Sequence, residues 1–256
     1  MTDVFVKDET LGRAWARTIL TVGQAPKRKA FHTVTRIEDV TGEDATIRRV
    51  ADELLAERAL ASIDTVANTL FPAAMAALEP DPVRLGQRYL RLLPQLKRLD
   101  PANAKGTYFQ RLVGYDGPAG TSINQLADLV RRLKVEAATR GPKSARYEIG
   151  IDTPTAAALA VHDPGRDTSA MAFPCLSLLS FQLERGQILH AVAHYRSQYL
   201  LQRGYGNYLG LAGLIRYVAA AAELRPGRLT VVAGLAAADR MNKTGLARIR
   251  GILSDA

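Results

Sequence analysis

The residue types that could perform chemistry in this chain are few, and its single cysteine comes first. Cys175 follows Phe173-Pro174 at the start of an apolar segment, and Arg196-Ser197 lies twenty-one residues further on. A lone cysteine is commonly an inert buried side chain, and that interpretation stays open. If the two segments pair as a hairpin around Arg185-Gly186, however, the Arg196 guanidinium approaches the sulfur and favours the nucleophilic thiolate.

A second motif is the glycine-rich segment Gly204-Tyr-Gly206-Asn-Tyr-Leu-Gly210, which opens a predicted helix. With Glu223 downstream it is similar to a dinucleotide-binding loop. Residues 197–203, however, are polar at both ends, and we predict that they are too short for the central parallel strand that such a loop requires. Glycines that let a helix approach a ligand or a neighbouring backbone explain the pattern better.

The histidines do not predict a metal site. His190 and His194 lie four residues apart on a predicted strand. At the usual rise of a strand they share a face about 13 Å apart, which is too far for one ion. We therefore expect packing or surface roles for both.

The elements that must position these residues follow from hydrophobic periodicity. The pattern predicts helices over 11–23, over 44–100 in two or three pieces, over 208–222 and over 245–253, and strands over 31–40, 144–151, 173–183, 187–195 and 229–235. Residues 100–121 have the composition of a loop, and a capping box of Ser122 and Gln125 predicts the start of another helix. Early helices followed by strands and one buried helix predict an α+β fold, and no boundary divides residues 1–256.

Composition limits the classes of function. The chain has 256 residues, 34 Lys plus Arg against 25 Asp plus Glu, and a formal net charge of +9. We see no membrane-spanning run and no signal peptide, so we expect a cytoplasmic protein. One cysteine cannot form an internal disulfide framework.

The surplus of positive charge is compatible with a solvated surface, a small anionic ligand or a nucleic acid. Sixteen aromatic residues without basic-aromatic interleaving argue against a single-strand stacking surface. A polymer ligand stays open because Arg84, Arg88, Arg91 and Arg98 recur along one predicted helix.

In order and spacing, several motifs resemble the thymidylate synthase and deoxycytidylate hydroxymethylase family, best over residues 122–235. Pro174-Cys175 resembles the nucleophile motif and Arg196-Ser197 the phosphate-binding pair, and Asn207 has the spacing of the asparagine that binds the pyrimidine. The remaining similarities are Ile123-Asn-Gln-Leu with Leu133-Lys, Ser144-Ala-Arg146, His162-Asp-Pro-Gly-Arg-Asp167 and Tyr108-Phe-Gln-Arg111-Leu.

The resemblance implies a thymidylate-synthase-like mixed β-sheet with a long buried helix and flanking helices, in a single domain spanning 1–256. It implies that Cys175 adds to C6 of a pyrimidine nucleotide monophosphate. A methyl or hydroxymethyl group is then transferred to C5 from 5,10-methylenetetrahydrofolate. On the same resemblance, Tyr108 is expected to line the active site and Asn207 to bind the base.

The family also implies how the phosphate is bound and how the chain assembles. Arg196, Ser197 and Arg28 are expected to clamp the phosphate. Arg146 is expected to come from the partner subunit of a homodimer.

The chain departs from the family at several positions. Leu176 follows the nucleophile position where a histidine is usual. Tyr199, which we include among the substrate-binding candidates, replaces the aspartate that supports folate and proton transfer in the family. Ala237 and Asp239 stand where a histidine and a tyrosine hold the ribose. Candidates for the catalytic glutamate are Glu53 and Glu57. An alternative function is therefore a non-catalytic or repurposed nucleotide-binding accessory protein of the same fold.

Overall fold

A six-stranded mixed sheet forms the centre of the fold in a computed structural model, which describes residues 4–117, 120–139, 141, 147–150 and 174–254. The strands of this sheet are β1 (Phe5–Asp8), β2 (Lys29–Ile37), β5 (Tyr147–Gly150), β6 (Leu176–Glu184), β7 (Ile188–Tyr199) and β8 (Arg225–Ala237), with β3 (Tyr115–Asp116) and β4 (Ser122–Ile123) forming a separate ribbon. Their order is β1-β2-β8-β7-β6-β5. The β1–β2 and β7–β8 pairs are parallel and the other pairs are antiparallel. The fold is therefore α+β, as predicted.

Nine α-helices are described around this sheet. They are α1 (Leu11–Gln24), α2 (Ala45–Ala56), α3 (Ile63–Leu70), α4 (Ala73–Leu78), α5 (Pro82–Leu99), α6 (Tyr108–Val113), α7 (Gln125–Ala137), α8 (Tyr205–Ala221) and α9 (Lys243–Ser254). Short 3₁₀ turns cover Pro26–Arg28 and Pro101–Asn103, and a π-helical turn covers Leu200–Gly204.

The apolar face of α1 packs against the inner face of the sheet. Thr10 caps the helix by accepting from the Arg13 N–H, which satisfies one of the unpaired donors at a helix start. Trp15 is fully buried and its indole N–H donates to the Leu200 carbonyl at 2.7 Å. This contact ties the first helix to the π-helical turn before α8.

Helix α8 is buried nearly all round, so its sequence lacks a polar face. Two of its glycines allow α3 to approach closely: a Cβ on Gly206 would lie 2.8 Å from the Ile63 carbonyl, and one on Gly210 would lie 2.8 Å from the Ala67 carbonyl. The glycines therefore serve helix packing, which is one of the roles predicted for them. This contact leaves no room for a dinucleotide phosphate at these positions.

One prediction about the same segment is wrong. Residues 197–199 belong to β7, a central strand that runs parallel to β8 and is followed directly by the π-helical turn and α8. The side chains at this end of β7 are polar because they border a cavity rather than the hydrophobic core, so their polarity does not mark the end of the strand.

Two boundary predictions are also corrected. The segment predicted as loop contains α6, which is held by the Thr107 cap and by the buried side chains of Phe109 and Leu112. The helix predicted from Ser122 begins at Gln125, because Asn124 accepts from the Ala127 N–H at 2.9 Å. Ser122 instead pairs with Asp116 in the β3–β4 ribbon.

The outer face of the sheet carries no helix within the described part of the chain. Val34, Val232 and His194 lie in register across β2, β8 and β7, and Val192 and Thr230 form the next row. His194 is exposed, and the other four side chains are partly exposed. Arg36 of β2 completes the second row beside Thr230, so charge borders the half-buried apolar centre of this face. A half-buried apolar patch with a polar rim is typical of an interface.

No helix in the described ranges is long and apolar enough to cross a membrane. The histidines of β7 each have their own partner: His190 contacts Glu184 at 2.8 Å, and His194 contacts Ser177 at 3.0 Å. The motif segments 144–146 and 162–167, including Arg146, lie outside the described residues.

Candidate functional site

A cavity of about 420 Å³ lies where the end of β7 meets the start of β6. Its walls come from α3, from the segment between α5 and α6, from β6 and β7, and from the start of α8. The lining residues are Ala61, Thr65, Val66, Thr69, Asp100, Asn103, Gly106, Thr107, Tyr108, Cys175, Tyr195, Ser197, Gln198, Tyr199, Gln202, Arg203 and Asn207. Five of the residues predicted from the sequence therefore lie together: Tyr108, Cys175, Ser197, Tyr199 and Asn207.

Cys175 is half-buried and lies immediately before β6. Its Sγ lies 3.7 Å from the Ser197 Oγ, so the hairpin does bring the two predicted residues together. A β-bulge follows at once, where the pairing shifts between Leu176 and Leu178. Bulges turn a strand locally and re-aim its side chains. Leu176 is fully buried, so the position where the family has histidine here supplies core packing.

Tyr108 anchors the cysteine backbone. It is the first residue of α6, and its hydroxyl accepts from the backbone N–H groups of Cys175 at 3.3 Å and Leu176 at 3.4 Å. Burial raises the pKa of Tyr108, and the neighbouring cysteine raises it further. The hydroxyl therefore remains protonated at neutral pH and can also donate to a ligand.

Two buried polar atoms in the cavity wall have no hydrogen-bond partner among the described residues. They are the Tyr195 hydroxyl and the Gln198 Nε2. Tyr195 is completely buried, which raises its pKa well above the usual value, and Gln198 is 4% exposed. A buried polar group without a partner costs about 1–3 kcal/mol, so such atoms indicate a site that a polar ligand or water completes.

Arg196 is adjacent to Cys175 but does not line the cavity. Its guanidinium donates to the Pro174 carbonyl at 2.6 Å, and its backbone N–H donates to the Cys175 carbonyl at 2.8 Å. The side chain therefore braces the segment that carries Cys175, at the edge of the outer sheet face.

Asn207 lies in the first turn of α8 and is 4% exposed. Its amide can both donate and accept hydrogen bonds, which suits the edge of a pyrimidine ring. The π-helical turn before α8 also brings Gln202 and Arg203 to the cavity. Such turns often occur at functional sites.

Sequence reasoning missed Arg203. Within the described part of the chain this exposed arginine has neither an ion pair nor a hydrogen bond, and it is the one cation that lines the cavity. Its position directly before the glycine-rich helix start was the available signal. The π-helical turn that decides its direction could not be predicted from local sequence.

Arg28 lies elsewhere. Lys27 and Arg28 both have left-handed backbone conformations, with φ values of 56° and 54°, and the Arg28 guanidinium donates to the Met241 carbonyl. It therefore ties the turn before β2 to the segment before α9 and does not line the cavity. Tyr199 lies at the cavity and is 38% exposed.

The acidic residues proposed for catalysis are occupied elsewhere. Glu53 and Glu57 form ion pairs with Arg248 of α9 at 2.6 and 2.5 Å, and neither lines the cavity. Asp239 accepts from the Leu201 and Gln202 N–H groups and so caps the π-helical turn. The one carboxylate among the described lining residues is Asp100.

A second concave surface, of about 630 Å³, lies at the far ends of α7 and α8. It is bordered by Lys134, Glu223 and Arg225 and has no nucleophile. Lys134 and Glu223 are 3.9 Å apart and exposed. The smaller cavity at Cys175 is therefore the better candidate for chemistry, although it is not the largest concavity.

In comparisons with known proteins, no protein-family model and no curated protein sequence matches this chain. The function proposed below therefore rests on the residues of the cavity.

Proposed function

We propose that this chain is a divergent thymidylate-synthase-like transferase that binds a pyrimidine nucleotide monophosphate in the Cys175 cavity. Support comes chiefly from one observation: Cys175, Ser197, Tyr108 and Asn207 come from four separate segments of the chain and meet at a single cavity. The mixed sheet, with α8 buried beside it, is compatible with the fold that the resemblance implies.

In the proposed reaction, the Cys175 thiolate forms a bond to C6 of the pyrimidine, and the electron pair of the C5–C6 double bond moves onto the C4 carbonyl as an enolate. Carbon C5 then becomes nucleophilic and would bond to the methylene carbon that the folate supplies, as one carbon–nitrogen bond of the donor breaks. Loss of the C5 proton and cleavage of the second carbon–nitrogen bond would leave an exocyclic methylene group on the pyrimidine. Addition to that methylene of a hydride from tetrahydrofolate would give the methyl product, and addition of hydroxide from water would give the hydroxymethyl product. In either case the C5–C6 double bond is restored and the Cys175 thiolate is expelled.

The chain's own residues would hold the nucleotide and the cysteine during these steps. Asn207 would hydrogen-bond the base edge. Ser197, 3.7 Å from the sulfur, would donate to the thiolate or to the phosphate. The Tyr108 hydroxyl accepts from the backbone N–H groups on either side of the Cys175 Cα, which keeps the sulfur in place while the bond forms.

The polar groups of the cavity are of the chemical types that could bind 5,10-methylenetetrahydrofolate. The unpartnered atoms of Tyr195 and Gln198 could hydrogen-bond a pterin ring, and Arg203 could pair with a glutamate carboxylate. Tyr199 lacks the carboxylate that the family uses at that position. When bound, the folate would supply the one-carbon unit.

Release of tritium from C5 tests this proposal. Protein is incubated with C5-tritiated dUMP, dCMP, UMP or CMP and 5,10-methylenetetrahydrofolate, and tritiated water is counted. We expect release from at least one nucleotide and none above background in Cys175→Ala. No release from any nucleotide, or equal release in the variant, would contradict the proposal.

A non-catalytic nucleotide-binding protein is the second candidate. It is favoured by the ion pairs that occupy Glu53 and Glu57 away from the cavity. Under this alternative, nucleotide alone raises the melting temperature, since a ligand at 100 times its Kd stabilises by about 2.7 kcal/mol. Adding folate then changes nothing, and Cys175→Ala binds as well as the wild type.

We also propose that the chain forms a homodimer through the outer face of the sheet. Support comes from the partly exposed side chains of Val34, Val192 and Val232, which no described helix covers. Homodimers with a self-complementary interface are the commonest oligomers.

A further inference from the structure

The cavity at Cys175 is lined by one cation that forms no ion pair within the described structure, and the one carboxylate among the described lining residues is Asp100. Arg203 lines the cavity from the π-helical turn and makes no ion pair and no hydrogen bond within the described ranges. By contrast, Arg48 on α2 contacts three carboxylates, those of Glu43, Asp52 and Asp64, at 2.7–2.9 Å. A guanidinium without a counter-ion at a concave surface is suited to bind a phosphate or carboxylate in a bidentate manner.

A second observation independently indicates a ligand at the same place. The Tyr195 hydroxyl and the Gln198 Nε2 are buried in the cavity wall and have no partner among the described residues. Both belong to β7, which leads directly into the turn that carries Arg203. Two residues that line the cavity therefore carry a buried polar atom without a partner, and an unpaired cation lines the same cavity.

Hydrogen bonds fix the backbone of the π-helical turn that carries Arg203. The Leu200 carbonyl accepts from the Trp15 indole at 2.7 Å, and the Leu201 and Gln202 N–H groups donate to Asp239 at 2.9 and 3.3 Å. The three residues that directly precede Arg203 are thus anchored. An anchored backbone lowers the entropy lost when the side chain engages a ligand.

We propose that Arg203 is the anion-binding residue of this cavity and pairs with a phosphate or carboxylate group of the bound ligand. The inference deepens the proposed function, on which it rests for the identity of that ligand. The anion is either the phosphate of the nucleotide or a carboxylate of the one-carbon donor.

The single cysteine provides a direct test that does not depend on catalysis. Cys175 is alkylated with neutral iodoacetamide and with anionic iodoacetate, and the ratio of the two rates is measured. A unit charge on the wall of the same cavity, partly screened by water, changes the local concentration of an anion about three- to tenfold. We therefore expect Arg203→Gln to lower the iodoacetate-to-iodoacetamide ratio about three- to tenfold, and Arg203→Lys to retain most of it.

Arg91→Gln is the matched control, because Arg91 is exposed on α5, outside the cavity, and its loss changes the net charge equally. An unchanged ratio in Arg203→Gln, or an equal fall in Arg91→Gln, would overturn the inference. Arg203 is exposed, so neither substitution removes core packing.

Binding measurements then identify the source of the anion. If Arg203 holds the nucleotide phosphate, Arg203→Gln weakens dUMP but not deoxyuridine. If it holds a donor carboxylate, dUMP binds normally and 5,10-methylenetetrahydrofolate binds more weakly. Normal binding of both by the variant, with both bound by the wild type, would overturn the inference. If neither binds the wild type, the proposed function fails, while the alkylation ratio still decides the role of Arg203.

Discussion

At the scale of single residues, the candidate site depends on hydrogen bonds that reach across the chain. The Tyr108 hydroxyl accepts hydrogen bonds from the backbone N–H groups of Cys175 and Leu176, which lie 67 and 68 residues further along the chain. Such a contact couples α6 to the start of β6. It gives Tyr108 a structural role that holds whichever function is correct.

Tyr108→Phe should therefore both destabilise the protein and loosen the cysteine segment. Removing the acceptor leaves two backbone donors unsatisfied, which costs about 1–3 kcal/mol. Denaturant unfolding should report this loss, and iodoacetamide should alkylate Cys175 faster in the variant.

Tyr217→Phe is the control for that variant, because its hydroxyl donates to the Glu79 and Pro80 carbonyls far from the cavity. We expect it to leave the alkylation rate unchanged. Equal alkylation rates in Tyr108→Phe and the wild type would show that the hydroxyl does not hold the cysteine segment.

At the scale of elements, the contact between α3 and α8 shapes one wall of the cavity. Val66 of α3 lies against Gly206, and Asn207 follows that glycine into the site. A Cβ at position 206 would lie 2.5 Å from the Val66 Cβ, which is closer than two non-bonded carbon atoms can approach. The distance between α3 and α8 and the width of the cavity therefore change together.

Gly206→Ala should push α3 away and destabilise the fold by about 1–3 kcal/mol, the usual cost of overpacking. Gly251→Ala is the matched control, since a Cβ there meets nothing within 4 Å on the exposed side of α9. That change should stabilise by roughly 0.5–1 kcal/mol through helix propensity. Urea unfolding of both variants checks the contrast, and similar stabilities would refute it.

At the scale of the whole molecule, the unpaired positive charge is unevenly distributed. The arginines of α2 are paired with acids, whereas Arg84, Arg88 and Arg91 on α5 are exposed and make no ion pair within the described residues. The surplus charge of the sequence is therefore concentrated in part on α5. A polymer ligand for that helix stays a hypothesis, and the outer sheet face is the better candidate for contact with another protein.

Val192→Glu should convert the proposed dimer to a monomer, because two copies of the substitution would place like charges at the centre of the interface. Light scattering after size exclusion should give twice 27.8 kDa for the wild type and 27.8 kDa for the variant. Thr230→Glu, in the neighbouring strand of the same row, should act likewise.

The control is Val135→Glu, which changes an exposed valine of α7. It should leave the mass unchanged, and far-UV circular dichroism should show that all three variants are folded. A monomeric wild type, or a dimer that survives both sheet substitutions, would rule out this interface.

Local patterns predicted much of the fold. The helix from Leu11, the hairpin around Arg185-Gly186 and the helix containing Tyr208 are all present, since strong periodicity and turn residues specify them. The short α6 was missed because its stability comes from tertiary burial of Phe109 and Leu112 rather than from its own sequence. The end of β7 was missed because polar side chains there face a cavity.

The sequence by itself determined the chemistry available to this protein: one thiol, an adjacent Arg-Ser pair, an asparagine in a helix start and a net charge of +9. Only the tertiary structure decided which of these groups meet. It brings Cys175 to Ser197, directs Arg196 to the Pro174 carbonyl and Arg28 to the Met241 carbonyl, and leaves Arg203 unpaired at the cavity. The physical reason is that residue type specifies what a side chain can bind, whereas strand register, a bulge and a π-helical turn specify where it points.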